Sequence, residues 1–545
     1  MKKKIAQILK DTISLKNYPE VGFSLEPPRN KSFGDLSTNA ALIIAKKVGK
    51  NPRDIAAVIS ETLSSYSDIF TSVDVAGAGF INLKINDNLY LHTLTDILKE
   101  GRNYGKNQNN FGKKANLEWV SANPTGPLHA GHGRQVCLGK SIANLLEWSG
   151  YEVTREYYYN DAGNQMNNLA KSLYSRYMQI FDSSFPFPDD GYHGEYIKEY
   201  AERIYADKKD SLKNADNLSF FKEFAEKANF ERIKDTLETL GIKHDVFFSE
   251  TELYRNGDIK NLLADFKDKG VSREEDGAVW LKMDRDRFQK DKVIVKSTGE
   301  PTYRLPDMAY HINKIKRGYD YIIDIFGSDH GDTYKEVLYG IEKAGYDTSC
   351  IKVIIHQMVT FKSGSESVRM SKRSDNVYYL DDLIKDVGAD ATQFFFVMRA
   401  ANTHLDFDIE LAKEQSDKNP VYYLQYAHAR ICGIFRNAEL NFGKEICESE
   451  FDIKKLAEPG AVELLKVLSR FPEEVESVSE TLEPHKIINY LNTAAETFHK
   501  FYHDNRVLDA DNIDTTIARL KLCEAVRTVL RNGFEIIGIN APERM

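Results

Sequence analysis

The sequence predicts an α/β protein, with a parallel-sheet domain in mid-chain, an α+β segment before it and an all-helical bundle after it. Three observations carry that prediction. Residues 116–159 read as strand, loop, helix and strand; strands return at Tyr321–Phe326 and Lys352–Ile355 after a long charged interruption; and beyond residue 401 the apolar periodicity is helical.

The first βαβ unit is the best defined. Asn116-Leu117-Glu118-Trp119-Val120 forms a short apolar strand, and Asn123-Pro124-Thr125-Gly126-Pro127 is too rich in Pro and Gly to continue it. Val136, Leu138, Ile142, Leu145, Leu146 and Trp148 then recur at helical spacing up to Gly150, which predicts a helix from about His129; Tyr151–Tyr158 is the next strand. The loop therefore lies at the carboxyl end of a parallel strand, where open sheets bind ligands. His129 and His132, three apart, share a face of the helix's first turn, beside backbone N–H groups and a positive dipole end that favour an anion. Gly131 leaves room for a close approach. Two such donors aimed at a phosphate would stabilise charge developing at phosphorus. A pair of surface or capping histidines is the alternative that these residues leave open.

Length and composition set the outer bounds. A chain of 545 residues with 42% hydrophobic residues should hold about three domains with ordinary cores. The basic start Met1–Lys4 is followed by an apolar run broken at Lys10 and Asp11, so no signal peptide is expected, nor any membrane span, and a cytoplasmic location follows. Five scattered cysteines without a C-x-x-C pair predict free thiols and no structural zinc. The net charge of −9 offers no overall basic surface for nucleic acid, but it is unevenly spread. Residues 1–110 hold 15 Lys and Arg against 11 Asp and Glu, whereas residues 401–545 hold 17 against 25.

Ser121-Ala122-Asn123-Pro124-Thr125-Gly126-Pro127-Leu128-His129-Ala130-Gly131-His132 resembles the first signature of class I aminoacyl-tRNA synthetases and, in this extended form, that of the arginyl-tRNA synthetases. The resemblance implies a Rossmann-type catalytic domain at 113–400 with a connective insertion at about 160–290, an additional tRNA-binding domain at 1–112 and a helical anticodon-binding domain at 401–545. It implies that Pro127, His129, Gly131 and His132 bind ATP, and that Ser121 and Asn123 hold the α-amino and carboxylate groups of the amino acid.

In the N-terminal segment, Ile5, Ile8 and Leu9 start one amphipathic helix and Ala40–Val48 forms another, with Ser37, Thr38 and Asn39 as capping candidates. Phe33-Gly34-Asp35-Leu36-Ser37-Thr38-Asn39-Ala40 and Gly77-Ala78-Gly79-Phe80-Ile81-Asn82-Leu83 resemble stretches of the family's N-terminal domain, which implies contact with tRNA through Phe33 and Asn39. A capped helix and a turn with a strand, without a ligand, also fit these residues. Residues 101–112, rich in Asn and Gly, make the best linker in the chain.

In the catalytic segment, Glu118 places a carboxylate inside an apolar strand, so either an internal Arg or a cationic substrate must meet it. Tyr303 and Asp307, four apart, offer a hydroxyl and a second carboxylate on one helical face. A guanidinium, with five donors in a planar fork, suits two carboxylates and a hydroxyl. Arg304 is the alternative partner for either carboxylate. The resemblance assigns Glu118, Tyr303, Asp307 and His330 to the substrate arginine. It places Gly327 and Asp329 beside the ribose of ATP, and Gln357, Met358 and Val359 around adenine. Asn160–Gln165 and Tyr192–Tyr196 resemble stretches of the insertion.

Val368-Arg369-Met370-Ser371-Lys372-Arg373-Ser374 resembles the second signature, a mobile loop closing over ATP. Met370, Ser371 and Lys372 keep the pattern, with Lys372 set to neutralise the triphosphate, whereas Arg369 replaces a Lys and Arg373 a Ser. Asp386-Val387-Gly388-Ala389-Asp390-Ala391 resembles the run that closes the catalytic part, with Gln393 where Arg is common.

Beyond it, Ile487, Tyr490, Leu491, Ala494, Phe498 and Phe501 form a core stripe after Pro484. Asn419–Arg430 resembles a run of the family's anticodon-binding domain, implying stacking of Tyr422, Tyr426 and Arg430 on unpaired bases. By spacing alone, Tyr422, Tyr423 and Tyr426 are equally good core residues.

Together these readings predict a class I ligase that activates L-arginine with ATP and passes it to tRNA(Arg). Mg²⁺ would travel with the ATP rather than occupy a protein cage, no tightly bound cofactor is expected, and the enzyme is expected to be a monomer. A small adenylyltransferase, a tRNA-binding paralogue with a lost active site and a synthetase of another specificity are the rival readings.

Overall fold

The computed structural model describes every residue except 29, 162–163, 215–217, 364–365 and 369–377; of residues 31, 363 and 366–368 it describes the backbone alone. At its centre lies a five-stranded, all-parallel sheet. The strands are β1 (Lys114–Glu118), β2 (Glu152–Tyr159), β3 (Val246–Ser249), β4 (Tyr321–Gly327) and β5 (Ile351–His356), in the spatial order β5-β4-β1-β2-β3. The chain leaves β1 in one direction through β2 to β3 and then restarts beside β1 with β4. The switch point therefore lies between β1 and β4, the position where doubly wound sheets bind ligands.

Helix α1 (Gly133–Trp148) crosses from β1 to β2 and is buried almost all round, the polar Arg134, Gln135 and Ser141 included. Three helices, α2 (Asn164–Gln179), α3 (Glu195–Lys208) and α4 (Ser219–Thr239), connect β2 to β3 and pack around a core of their own. The stretch expected to be purely an insertion thus contains a strand of the main sheet. A separate antiparallel sheet of Ser272–Glu275, Ala278–Leu281 and Lys292–Val295 follows, and then α5 (Arg304–Lys316), which leads into β4.

The N-terminal residues form a four-stranded antiparallel sheet backed by helices, the expected α+β arrangement. Ala40–Val48 is a helix as expected, but Asn39 does not cap it. Thr38 accepts from the Ala40 N–H at 3.2 Å, while the Asn39 side chain accepts from the Ser24 N–H at 2.8 Å. The Asn- and Gly-rich stretch is not a loose tether either. Tyr104 is buried and donates to the Leu468 carbonyl at 3.1 Å, and Asn532 donates to the carbonyls of Gly101 and Tyr104 at 3.0 Å.

The C-terminal segment is helical, with α6 (Pro420–Phe442), α7 (His485–Asp504) and α8 (Ile513–Ile537) as its long members. Asn419 caps α6 by accepting from the Val421 N–H, with Pro420 at the first helical position. The stripe Ile487, Tyr490, Leu491, Ala494, Phe498 and Phe501 is buried as expected. Gln393 donates to the carbonyls of Cys137 at 3.0 Å and Ile537 at 2.9 Å, fastening this bundle to α1. All five cysteines are free thiols. No helix among the described residues is long and apolar enough to cross a membrane.

Candidate active site

β1 stops at Glu118, and past Trp119 two successive residues leave the strand with positive φ: Val120 at 74° and Ser121 at 41°. A β-branched residue in that region is strained, and such strain persists only where its surroundings enforce it. Several bonds do so. The Tyr157 hydroxyl donates to the Ala122 carbonyl at 2.7 Å, and the Ser121 hydroxyl donates to Glu118 at 2.8 Å while accepting from the Tyr158 N–H at 3.2 Å. Asn123 donates to Gln165 at 2.9 Å and accepts from the Asn160 N–H at 3.2 Å. From the other side, α3 and α4 grip the loop: Tyr196 donates to the Thr125 carbonyl at 2.6 Å and Asn229 to the Pro124 carbonyl at 2.8 Å.

The loop delivers Pro127, buried, and then His129. Residues 130–132 form a single 3-10 turn, so the α-helix proper begins at Gly133 rather than at His129. The two imidazoles still share a face, with ring centroids 3.5 Å apart and stacked. A Cβ on Gly131 would lie 2.9 Å from His129 Nδ1, so any other residue there would displace the histidine. On the far side, the Ala130 N–H donates to the Tyr378 carbonyl at 2.9 Å, and the Leu380 N–H to the Leu128 carbonyl at 2.8 Å. The chain that emerges from the second signature is thus anchored on the first. Met370, Ser371 and Lys372 themselves, with Arg369 and Arg373, lie outside the described residues.

At the carboxyl ends of β4 and β5 the structure places the expected ATP residues. Gly327 begins a 3-10 turn carrying Asp329 and His330, both exposed, with His330 stacked on Phe326 at 5.4 Å. Gln357 bonds through its backbone, its N–H donating to the Ala401 carbonyl at 2.9 Å; Met358 is 72% exposed and Val359 enters a short strand paired with Leu405–Asp408. The sequence offers no signal for Arg134. This fully buried guanidinium donates to the carbonyls of Gln357 at 2.9 Å and Ala400 at 2.8 Å, and burial pushes its pKa down to about 10.

The carboxylates expected to meet a guanidinium have different neighbours from those foreseen. Arg304 is not the partner of either; it donates to Glu336 at 2.6 Å and stacks on Tyr303. Nor does any arginine among the described residues meet Glu118. Its partner is Lys314, in the last turn of α5, whose ammonium lies 2.5 Å from Glu118 and 2.6 Å from Asp324, all three side chains being almost fully buried. Burial raises the Glu118 pKa, and Lys314 opposes that shift. Asp324 is held below its ordinary range by Lys314 and His311 in spite of burial.

Asp307 is the carboxylate that remains open. A third of its side chain is exposed, it accepts no hydrogen bond from the described residues, and its nearest cation is His311 at 3.6 Å. Burial raises its pKa, His311 opposing. Tyr303, four residues earlier, is 54% exposed. Glu118, His311 and Asp324 bring three ligand atoms within 4.8 Å of one another, but the Lys314 ammonium already supplies the cation there.

The tRNA-contact residues expected from the sequence sit apart from this centre. Phe33 is exposed at 56%, whereas the Asn39 side chain is spent on Ser24. On α6, Tyr422 and Tyr426 stack in parallel at 6.1 Å and Arg430 lies over Tyr426 at 5.0 Å. Tyr426 is exposed and Tyr422 half-buried, neither in the core, whereas the half-buried Tyr423 packs against it.

Comparison with known proteins agrees with this arrangement along the whole chain. Family models match for the arginyl tRNA synthetase N terminal domain at residues 1–85, the class I (R) tRNA synthetase catalytic domain at 93–404 and the DALR anticodon binding domain at 424–545. An arginine–tRNA ligase of Chlorobaculum tepidum is 46% identical over 527 residues, covering 96% of both chains. One of Desulfotalea psychrophila is 44% identical over 524 residues, covering 96% of this chain and 95% of that protein. Among solved structures, the arginyl-tRNA synthetase of Thermus thermophilus superposes with a TM-score of 0.75 over the full length of both chains at 18% identity, a likeness of fold. With three family domains in order around a loop that presents His129 and His132 at the switch point of a parallel sheet, the chain belongs to the arginyl-tRNA synthetases, the arginine–tRNA ligases of class I.

Proposed function

We infer that the chain charges tRNA(Arg) with arginine for translation by the two-step route of its class. The arginine carboxylate attacks the α-phosphorus of ATP and releases pyrophosphate; a terminal adenosine hydroxyl of the tRNA then takes the arginyl group and releases AMP. His129 and His132 stabilise the negative charge that develops at phosphorus, and Lys372 of the second signature neutralises the triphosphate. Mg²⁺ accompanies the ATP as part of the substrate. No covalent nucleophile is needed, since orientation supplies much of the rate. Gly327, Asp329, Gln357, Met358 and Val359 border the nucleoside, and Ser121 and Asn123 the α-amino and carboxylate groups.

The observation that carries the specificity is Asp307. Its carboxylate, a third exposed, accepts no hydrogen bond from the described residues and stands one turn from the exposed Tyr303, whereas Arg304, the internal cation next to Tyr303 in sequence, is committed to Glu336. A guanidinium completes that set, and an analogue without those donors leaves the carboxylate unpaired, which rejects it without editing. Glu118 acts at one remove, through its contact with Ser121. The aromatic face of Tyr422, Tyr426 and Arg430 takes unpaired anticodon bases, and Phe33 meets the tRNA from the N-terminal domain, the enzyme working as a cytoplasmic monomer.

The test is amino-acid-dependent exchange of pyrophosphate into ATP over all twenty amino acids, with and without bulk tRNA. Exchange with arginine alone, and only when tRNA is present, is the expected result. Exchange with another amino acid overturns the assignment of Asp307 and Tyr303.

A further inference from the structure

Beneath Asp307 lies a cluster of buried charges whose sum is not zero. Glu118, Asp307 and Asp324 face Lys314 and His311, and all but Asp307 have at most 4% of the side chain exposed. His311 meets an acceptor on both ring nitrogens, the Asp307 backbone carbonyl 2.8 Å from Nδ1 and Asp324 3.0 Å from Nε2. A neutral imidazole carries one proton and would leave one of those contacts lone pair to lone pair, so the ring is an imidazolium. Burial works against that charge, but Asp324 outweighs it and brings the pKa up to about 9.

Glu156, on β2, closes separately on Arg317 through two bonds of 2.7 Å and accepts from Tyr310. Tyr158, also on β2, donates to Glu250. His330, on the turn after β4, acts on Asp307 only through its field, its nearest carboxylate being Asp329. Within the set in direct contact, three carboxylates stand against two cations, one net negative charge, with Asp307 at the open edge; Glu250, bonded to the neutral Tyr158 hydroxyl, lies outside that set.

We propose that Lys314 is a specificity-determining positioning residue: by cancelling Glu118 it leaves Asp307 as the one uncancelled carboxylate of the contacting cluster beneath the amino-acid side chain, which selects a positive side chain and keeps arginine capture independent of pH near neutrality. The proposal rests on the reading of Asp307 as the partner of the guanidinium. Without the Lys314 ammonium, Glu118 and Asp324 cannot both stay ionised in an apolar surrounding, and one of them takes up a proton. An incoming guanidinium favours the ionised form, so it expels that proton, and capture becomes linked to pH.

The experiment measures the KM for arginine in tRNA charging by the full chain, at saturating ATP, from pH about 6 to about 8. The wild-type KM is expected to stay flat within about twofold, whereas that of Lys314→Met falls about tenfold as the pH rises, with the KM for ATP unmoved. A second pair covers the event that Lys314→Met does not fold. Glu118→Gln alone leaves the cluster neutral and raises the arginine KM; Glu118→Gln with Lys314→Met restores one negative charge and brings the KM back down. A flat profile in Lys314→Met, or a double variant no better than Glu118→Gln, overturns the proposal. Absence of arginine charging by the wild type would instead overturn the functional reading on which it rests.

Discussion

Asn229, in mid-α4, donates to the Pro124 carbonyl at 2.8 Å, and Arg232, three residues on, bonds Asp381 at 3.0 Å just beyond the second-signature segment. One helix from the β2–β3 crossover therefore holds both signature regions in register. Asn229 is fully buried and also accepts from the Tyr200 hydroxyl at 3.0 Å, so Asn229→Ala strands a carbonyl and a hydroxyl. Each unsatisfied group costs about 1–3 kcal/mol. The melting temperature is expected to fall, and kcat for adenylate formation by about tenfold, since a small displacement of the loop moves both histidines. Arg232→Ala, on a partly exposed pair, should lower kcat with little loss of stability. Unchanged kcat in both variants would mean that α4 does not set the register.

Asp307→Ala separates the two substrates. Removing the carboxylate that meets a desolvated guanidinium costs about 3–5 kcal/mol, so the arginine KM should rise by about 100-fold or more in steady-state charging while the ATP KM stays within about twofold. Equal losses for both substrates would show that Asp307 supports the fold of the site rather than arginine recognition.

Arg134→Lys probes the nucleotide side. The guanidinium fork spans two carbonyls, Gln357 and Ala400, and a lysine ammonium reaches one of them well. Because the Gln357 backbone borders the proposed adenine position, the ATP KM is expected to rise about five- to tenfold with the arginine KM unmoved, which is the mirror image of Asp307→Ala. A fall in melting temperature with both KM values intact would make Arg134 a packing residue only.

The parts of this site that are legible in the sequence are those whose chemistry is local. Pro, Gly and His at fixed short spacings specify the turn from Asn123 to His132, and the backbone follows, down to Gly131 beneath His129. The stripe from Ile487 to Phe501 is legible for the same reason, because one helix period sorts it. Long-range electrostatics are not legible. Lys314 lies in a run of alternating polar and apolar residues that resembles any surface helix, and its partner Glu118 is 196 positions away. The strand Val246–Ser249 is hidden likewise: four residues carry too little periodicity, and only the register against Glu156–Tyr159 assigns it to the main sheet. Asn39 has the right type for a helix cap, yet a strand-end N–H at Ser24 competes for the same oxygen and takes it.

His244 gives a stability prediction independent of the catalytic reading. It is buried between Trp119, at 4.4 Å, and Tyr157, at 5.4 Å, directly behind the strained end of β1, and neither ring nitrogen has a hydrogen-bond partner among the described residues. Burial, with help from Arg155, depresses its pKa to about 4. A histidine in the unfolded chain titrates near 6.5, so below that pH the unfolded state binds the proton first and the folded state loses ground until the pH reaches about 4. His244→Phe keeps an aromatic ring against Trp119 and removes the titration. Thermal unfolding followed from pH about 8 down to about 5 should therefore show the wild type losing stability faster than the variant, with the two curves converging above pH about 7. Parallel curves would mean that the His244 ring finds a proton acceptor in solution, and that its burial beside the signature loop costs the protein nothing in acid.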